Sequence, residues 1–590
     1  MFTIYVLLIK YKITMKKAKD NLNQKVNKRK KISFFTAMLI VISGSNGAGI
    51  YFRSESILNN SHQSLILAIF CWIFGALAII AMALALVEIT SAKSHNLSLI
   101  GWNHTFNNRH VFNMSKNFMT YLYLPLSYFL MPLYALMSLQ QGVGAILNQE
   151  AFVIGTKYDW MIWTGISLLI VIYFSIVPAL YTKAGDIQNK IMLAVKFLPL
   201  FFIIIIGFVL AFSSKGEVNQ THWNLQDQHF DVRLGSSIAS YKSLGAGFGV
   251  FLSVSAIFFV YDGFYISAGI QSEMKEPQKT PLALLFGLLI TTIIYLLIAI
   301  SMSINGGSFI KMKDYLSNWW GSKAGRIIFG ILNICIAIGI LGIINNLAMW
   351  LPRYIEDLLA LGELPFWYKL RFKLNKERPK IGVIYSLFLC IPLIILFSVF
   401  GALCYFSNEN YNIFNSLNSD KTIKSDALNK LYNFTDLVAN WTSLIVYTSI
   451  ATAILGGIKN RKHNFVKAQK KKYFLVSAYF IVTVTYLSVI ITTIIPFIDL
   501  FLLIGFDREY FKTVELEKFA KDNTYIIRNE NTFFNQLLKG RILCVVTLII
   551  YLLISIFPSV FEKIYFKKMF KSWDLYLAWK QETLEKGIVV

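Results

Sequence analysis

Two long apolar segments of this chain are each interrupted near the middle by glycine and polar residues. The first reads Ile42-Ser43-Gly44-Ser45-Asn46-Gly47-Ala48-Gly49-Ile50-Tyr51, and the second reads Phe258-Phe259-Val260-Tyr261-Asp262-Gly263-Phe264. In lipid an unpaired backbone amide or carbonyl is costly, so a helix breaks at membrane depth only where protein encloses it or a cavity adjoins it. Two such breaks in corresponding places of two halves point to the binding site of a secondary transporter, placed where the breaks meet.

The rest of the chain supports a membrane setting. Of its 590 residues 56% are hydrophobic and the mean hydropathy is +0.55, which is too apolar for an ordinary soluble protein. Apolar runs long enough to cross a bilayer recur along the whole length. They predict spans at 33–58, 65–91, 118–147, 160–182, 188–213, 245–272, 280–305, 326–350, 380–405, 431–457, 473–497 and 541–562. The five cysteines, Cys71, Cys335, Cys390, Cys404 and Cys544, all fall inside apolar segments. They offer neither a disulfide framework nor metal-ligand spacing, and loop 148–159 holds no cysteine for a disulfide-linked subunit.

The net charge of +25 is informative through its location. Ten Lys or Arg lie in the first 31 residues and seven more between Lys459 and Lys472. Basic clusters beside spans mark the cytoplasmic side and favour anionic lipid headgroups. No aromatic-basic module accompanies them, so nucleic acid is not an expected partner. With an even span count both termini are predicted cytoplasmic, and a plasma-membrane location is expected. The stretch Glu562–Lys580 mixes Lys with aromatics, as in a basic amphipathic helix on the inner leaflet or an ordinary cytosolic tail. His62, His95, His104 and His110 fall in loops and are expected to be solvated.

The two interrupted spans are separated by four intact ones. This predicts an all-α polytopic protein built on a five-plus-five repeat, spans 1–5 and 6–10, with an odd span number forcing the halves into opposite orientation. The expected organisation is a basic segment over 1–32, a ten-helix core over 33–456, two further helices with a long outer loop over 457–562, and a basic tail over 563–590.

Several motifs then resemble a known group. Gly47-Ala48-Gly49-Ile50-Tyr51 is similar to the span-1 Gly-Ser-Gly-Ile-Phe signature of the amino acid–polyamine–organocation (APC) superfamily. Phe258 to Phe264, followed by Glu273-Met274-Lys275-Glu276-Pro277-Gln278-Lys279, resembles its span-6 pattern, and Arg353 with Gly362-Glu363-Leu364-Pro365 resembles its motif after span 8. Glu88 and Lys196 also fall where members often carry those residues. Ser43 and Asn46 depart from the usual Gly and Ile, and the Pro-x-x-Gly-Gly stretch after span 2 is missing. The resemblance implies a LeuT-like inverted repeat with discontinuous helices 1 and 6, and amino acid permease activity by alternating access.

Candidate site residues follow from the breaks. Carbonyls around Ile42, Ser43 and Gly44 suit an ammonium. Amides from Ala48 and Gly49, at the start of a half-helix, suit a carboxylate. Ser45, Asn46 and Gly47 complete the first break, although Gly44 and Gly47 also read as a helix-packing pair. In the second break Phe259, Tyr261 and Phe264 would wall the pocket, with Gly263 at the break itself. Asp262 would hold an ammonium or a cationic side chain, or would cap the half-helix starting at Gly263. Lys196 reads as a snorkelling side chain. The resemblance implies another role, since in some relatives a span-5 lysine takes the place of a sodium ion between spans 1 and 8. A lysine able to exchange a proton there would couple transport to a proton gradient. Ile343 and Leu347 stand where sodium-binding relatives offer hydroxyls, so proton coupling or exchange is expected over sodium coupling. Glu88 reads as a proton relay or as the partner of a basic loop residue.

Other classes are weaker. No clustered metal ligands, phosphate-cradling loop or catalytic triad is visible, so no enzyme, metal or cofactor is expected. Asp262 favours a polyamine or other organic cation carrier, while the carboxylate-ready span-1 amides argue against it, and an amino acid sensor that does not transport would share all these residues.

Overall fold

The computed structural model describes residues 33–45, 49–92, 99–213, 237–240, 242–265, 274–305, 309, 312–375, 378–405, 426–505 and 530–586. All of its regular elements are helices. In chain order its longer α-helices are α1 (Phe34–Ser45), α2 (Gly49–Asn60), α3 (Leu65–Thr90), α4 (Leu99–Phe106), α5 (Arg109–Phe118), α6 (Leu124–Ile146), α7 (Asp159–Leu180), α8 (Thr182–Phe212) and α9 (Lys242–Val260). The second part comprises α10 (Thr280–Ser303), α11 (Met312–Trp320), α12 (Ser322–Ala360), α13 (Lys380–Val399), α14 (Asp426–His463), α15 (Phe474–Ile504), α16 (Glu530–Phe570) and α17 (Trp573–Lys586).

Ten helices among the described residues are long and apolar enough to cross a membrane, and each coincides with a predicted span. The two predicted spans absent from that set are the first and the sixth, which are the interrupted ones. The first is described as α1 and α2, on either side of residues 46–48. The sixth ends as a regular helix at Val260. The chain is thus an all-α, multi-pass membrane protein. "Inner" and "outer" below denote the sides assigned by loop charge.

The predicted repeat has a direct counterpart in the packing. α2 packs on α9, α3 on α10, α6 on α12 and α7 on α13, so each span from one to four touches its counterpart five spans later. That is the arrangement expected of two halves related by a twofold axis between them. The contact of α6 with α12 is built on glycine. A Cβ at Gly142 of α6 would lie 2.8 Å from the Gly330 carbonyl of α12, and one at Gly330 would lie 2.7 Å from the Gly142 carbonyl. Small residues let membrane helices approach until backbone meets backbone.

Some loop expectations are corrected. The segment 92–117, predicted as a loop, contains α4 and α5. Asn103 and Asn107 explain the folding of α4, because their amides donate to the carbonyls of Ser449 (2.9 Å) and Thr452 (3.0 Å) on α14. His62, expected to be solvated, is 3% exposed, in a turn where it and Gln63 adopt φ of 50° and 58°. His104 packs edge-on against Phe112. The tail after α16 is held on protein through its aromatic side chains. Trp579 of α17 lies 5.5 Å from the fully buried Trp367, and the Arg371 guanidinium donates to the carbonyls of Thr583 and Leu584, both at 3.0 Å.

The motif Gly362-Glu363-Leu364-Pro365 terminates α12. Gly362 takes φ +70°, a left-handed conformation that favours glycine, while its amide donates to Leu359 and that of Glu363 donates to Leu358. This turn aims Glu363 at three cations: Arg109 at 2.6 Å, Lys116 at 3.3 Å and Lys580 at 3.1 Å.

Candidate functional site

The sixth span breaks because its backbone turns tightly after Val260. The amides of Asp262 and Phe264 donate to the carbonyls of Phe259 and Tyr261, both at 3.3 Å, and Gly263 takes φ +101°. The carbonyl of Val260, which lacks a helical partner, accepts from the Tyr295 hydroxyl of α10 at 3.2 Å. A neighbouring helix thus supplies the hydrogen bond that lipid cannot.

α2 meets the second break. Gly49, the first residue of α2, lies so close to α9 that a Cβ there would be 3.1 Å from the Phe259 ring and 3.3 Å from Cα of Val260. Asp262 lies one turn further toward the inner side. One of its oxygens, Oδ2, accepts from the Tyr123 hydroxyl at 3.2 Å, and Tyr123 is also 3.3 Å from the Tyr265 hydroxyl. The other, Oδ1, is buried and has no hydrogen-bond partner. Tyr123 is presented by a single π-helical turn, Met119–Tyr123, between α5 and α6. Such turns widen a helix locally and are frequent at functional sites. Tyr447 of α14 completes this corner. Its ring stacks on Phe258 at 4.1 Å, and its hydroxyl is buried without a partner.

On the outer side the centre is closed by one ion pair, of which the arginine is buried. Arg53, one turn beyond Gly49 on α2, is 1% exposed. Its guanidinium lies 3.1 Å from Asp436 Oδ1 of α14, donates to the Tyr134 hydroxyl at 2.6 Å and sits 4.7 Å above the Phe259 ring. Tyr134 in turn donates to Asp436 Oδ1 at 2.6 Å. Sequence reasoning missed this pair. The signal was present, because an Arg and an Asp inside predicted spans are functional candidates by the same rule that selected Asp262.

The other predicted residues are placed as follows. Ile42 is buried near the end of α1. Asn46, Gly47 and Ala48, with the side chains of Ser43, Gly44 and Ser45, lie outside the described residues. Residues 266–273 lie outside them too, so the half-helix that Asp262 would cap is described only as far as Tyr265. Tyr261 faces α10, with its hydroxyl 2.8 Å from Thr292 and its ring edge-on to Tyr295 at 5.0 Å. Lys196 lays its stem on Gly339 of α12, where a Cβ would be 3.3 Å from the lysine Cβ and Cγ. This puts Lys196 beside the eighth span. Asn345 on the eighth span donates to the Gly185 carbonyl at 2.9 Å. Glu88 is fully engaged. Arg461 donates to both its oxygens, at 2.7 and 2.6 Å, and the Lys471 amide donates to Oε2 at 2.7 Å.

The amino acid permease family profile matches residues 32–502, from the start of α1 to the end of α15. The chain belongs to the amino acid permease family. This agrees with the motif resemblance on the first, sixth and eighth spans. An uncharacterised protein of Mycoplasma pneumoniae is 46% identical to this permease-family chain, over 88% of it and 92% of the relative. The serine/threonine exchanger SteT of Bacillus subtilis is 24% identical, over 58% of this chain and 71% of its own. Among solved structures, MhsT in complex with L-phenylalanine shares 15% identity over 78% of this chain and 97% of that one, with a TM-score of 0.43.

Proposed function

We propose that this family member carries amino acids across the plasma membrane by alternating access, with both termini in the cytoplasm and the solute held where α2 and the break after α9 meet. The observation that carries this reading is the contact of Gly49 with Phe259 and Val260, next to a buried Asp262 oxygen left without a partner. A half-helix starting near Gly49, as the sequence leads us to expect, would offer a place for a carboxylate. The unpartnered Asp262 oxygen offers a place for a cation. Opening toward the outside requires the Arg53–Asp436 pair to part, since it joins the first span to the tenth. SteT is named as an exchanger, which favours exchange as the mode.

The test is uptake of a labelled amino acid panel into proteoliposomes, with an imposed pH gradient or with preloaded unlabelled amino acid. Uptake driven by the gradient alone identifies a proton symporter, and uptake only into preloaded vesicles identifies an exchanger. Lys196→Ala is expected to abolish dependence on the pH gradient in a symporter. A variant with unchanged pH dependence would remove Lys196 from the coupling machinery. Glu88 has no place in that scheme, because Arg461 and the Lys471 amide already occupy its oxygens.

The unpartnered Asp262 oxygen also favours a second reading, transport of cationic amino acids or other organic cations. Asp262→Asn separates the two. We expect uptake of cationic substrates to fall about tenfold or more, as for loss of a hydrogen bond to a charged group, with neutral amino acid uptake retained. Equal loss of both would assign Asp262 to the ammonium common to all amino acids.

A further inference from the structure

The last span carries an exposed face that changes character toward its inner end. Leu553, Phe557, Phe561, Ile564 and Lys568 of α16 follow one another at helical spacing, so they line one side of the helix. The four apolar residues are 54–62% exposed, as on a face that meets acyl chains. The same side then turns basic. Lys567 and Lys568 are exposed in the last turn, and Lys571 follows at the corner where the chain leaves α16 with φ +60°. From Ile564 to Lys568 and the corner the axis advances about 6–10 Å, which carries the face through a headgroup layer roughly 5–8 Å deep. The opposite side of the helix is occupied. Asn117 of α5 donates to the Ser555 carbonyl at 3.0 Å and the Ser559 hydroxyl at 2.9 Å, and the Phe566 ring stacks on Tyr576 of α17 at 4.0 Å. Glu562 acts on Lys116 and Lys580, so this acid answers cations of the protein. Residues 563–573 hold four lysines and no acid, and Asp574 comes only beyond the corner.

We propose that this corner is a binding site for an anionic phospholipid of the inner leaflet, with its acyl chains along Phe557, Phe561 and Ile564 and its phosphate on Lys567, Lys568 and Lys571. The two halves of the face select this class together. A soluble anion gains nothing from the apolar half, and a zwitterionic lipid brings an ammonium of its own to the three lysines. The corner is also fixed in shape, unlike a loose basic tail. Phe570 lies 5.0 Å from Trp579, and Lys580 pairs with Glu363 at 3.1 Å, so α17 is held back against α16 and the lysines stay grouped. The occupied side of α16 reaches the transport core, through Asn117 on α5 and through Tyr551, whose hydroxyl lies 2.9 Å from Thr442 of α14. A lipid on the corner therefore braces the inner end of the third span and the helix that carries Asp436. The site is independent of which solute the protein carries.

The experiment is native mass spectrometry of the full chain in detergent, titrated with palmitoyl-oleoyl phosphatidylglycerol. Wild type is expected to hold one molecule more tightly than any that follow. Lys567→Gln, Lys568→Gln and Lys571→Gln together are expected to weaken that first molecule roughly a hundredfold, at about fivefold per lysine. Lys568→Gln alone, expected to weaken it about fivefold, keeps the test valid if the triple variant fails to fold. A matched variant, Lys462→Gln with Lys467→Gln and Lys470→Gln, removes the same charge from the exposed stretch after α14 and is expected to leave the first molecule in place. Equal weakening in the two triple variants would show a response to total charge and overturn the site. Phosphatidylcholine bound by wild type as tightly as phosphatidylglycerol would overturn it too. So would displacement of the lipid by an equal concentration of glycerol phosphate, which would make the corner a site for a soluble anion.

Discussion

Replacing Gly49 with leucine should abolish uptake of every amino acid while leaving the protein inserted in the membrane. The first added carbon already meets the Phe259 ring at 3.1 Å and the Val260 backbone at 3.3 Å, and leucine adds three more carbons beyond it. Inserting methylenes into a packed interior costs about 1–3 kcal/mol, and here the cost falls on the contact through which the two broken spans meet. It corresponds to roughly a five- to hundredfold loss even before the space taken from a ligand is counted. Gly49→Ala is the graded control. The neighbours must yield by a few tenths of an ångström, so partial uptake is expected. Proteoliposome uptake, normalised to inserted protein, reads both variants. Normal transport by the leucine variant would remove the meeting of α2 with the second break from the mechanism.

The second large effect is on stability. Glu363→Gln should lower the thermal unfolding midpoint of the solubilised protein sharply, because Arg109, Lys116 and Lys580 then face one another without their common counter-charge. Burial by itself would raise the Glu363 carboxyl. The three cations outweigh burial and hold it down at about 2, against an ordinary value of 4.5. Breaking a buried ion pair costs about 3–5 kcal/mol. Because the folded value is depressed, this stabilisation is present in full above about pH 4.5 and is lost as pH falls toward 2. The wild type should therefore converge on the variant over that window. A midpoint that is equal in the two proteins at pH 7 would show that the cluster contributes nothing net.

The sequence was most legible where lipid is least forgiving. The glycine and polar residues at 42–49 and 258–264 stand out because a hydrocarbon environment tolerates a broken helix only for a reason, and the structure brings Gly49 and Phe259 into contact. The ten uninterrupted spans were readable from apolar length alone. The closing pair was harder to see. Arg53 and Asp436 lie 383 residues apart, and neither looks paired within its own segment. Tyr123, Tyr134 and Tyr447 resemble packing residues, as most aromatics in membrane helices are, and only the fold aims Tyr123 at Asp262. Glu88 could not be told from a proton relay, because its partner Arg461 lies on a distant helix. α4 and α5 were invisible as helices, since what stabilises α4 is two asparagine bonds to α14.

The hydroxyl that Tyr295 gives to Val260 bears on how the protein is made. A sixth segment leaving the ribosome alone would carry a bare carbonyl and a carboxylate into hydrocarbon. The groups that answer them come from the third segment, already synthesised, and from the seventh, still to come. The sixth segment is therefore expected to enter lipid less readily alone than together with the seventh, which brings Tyr295. Truncations ending near residue 272 should leave more of the sixth segment uninserted than those ending beyond 303.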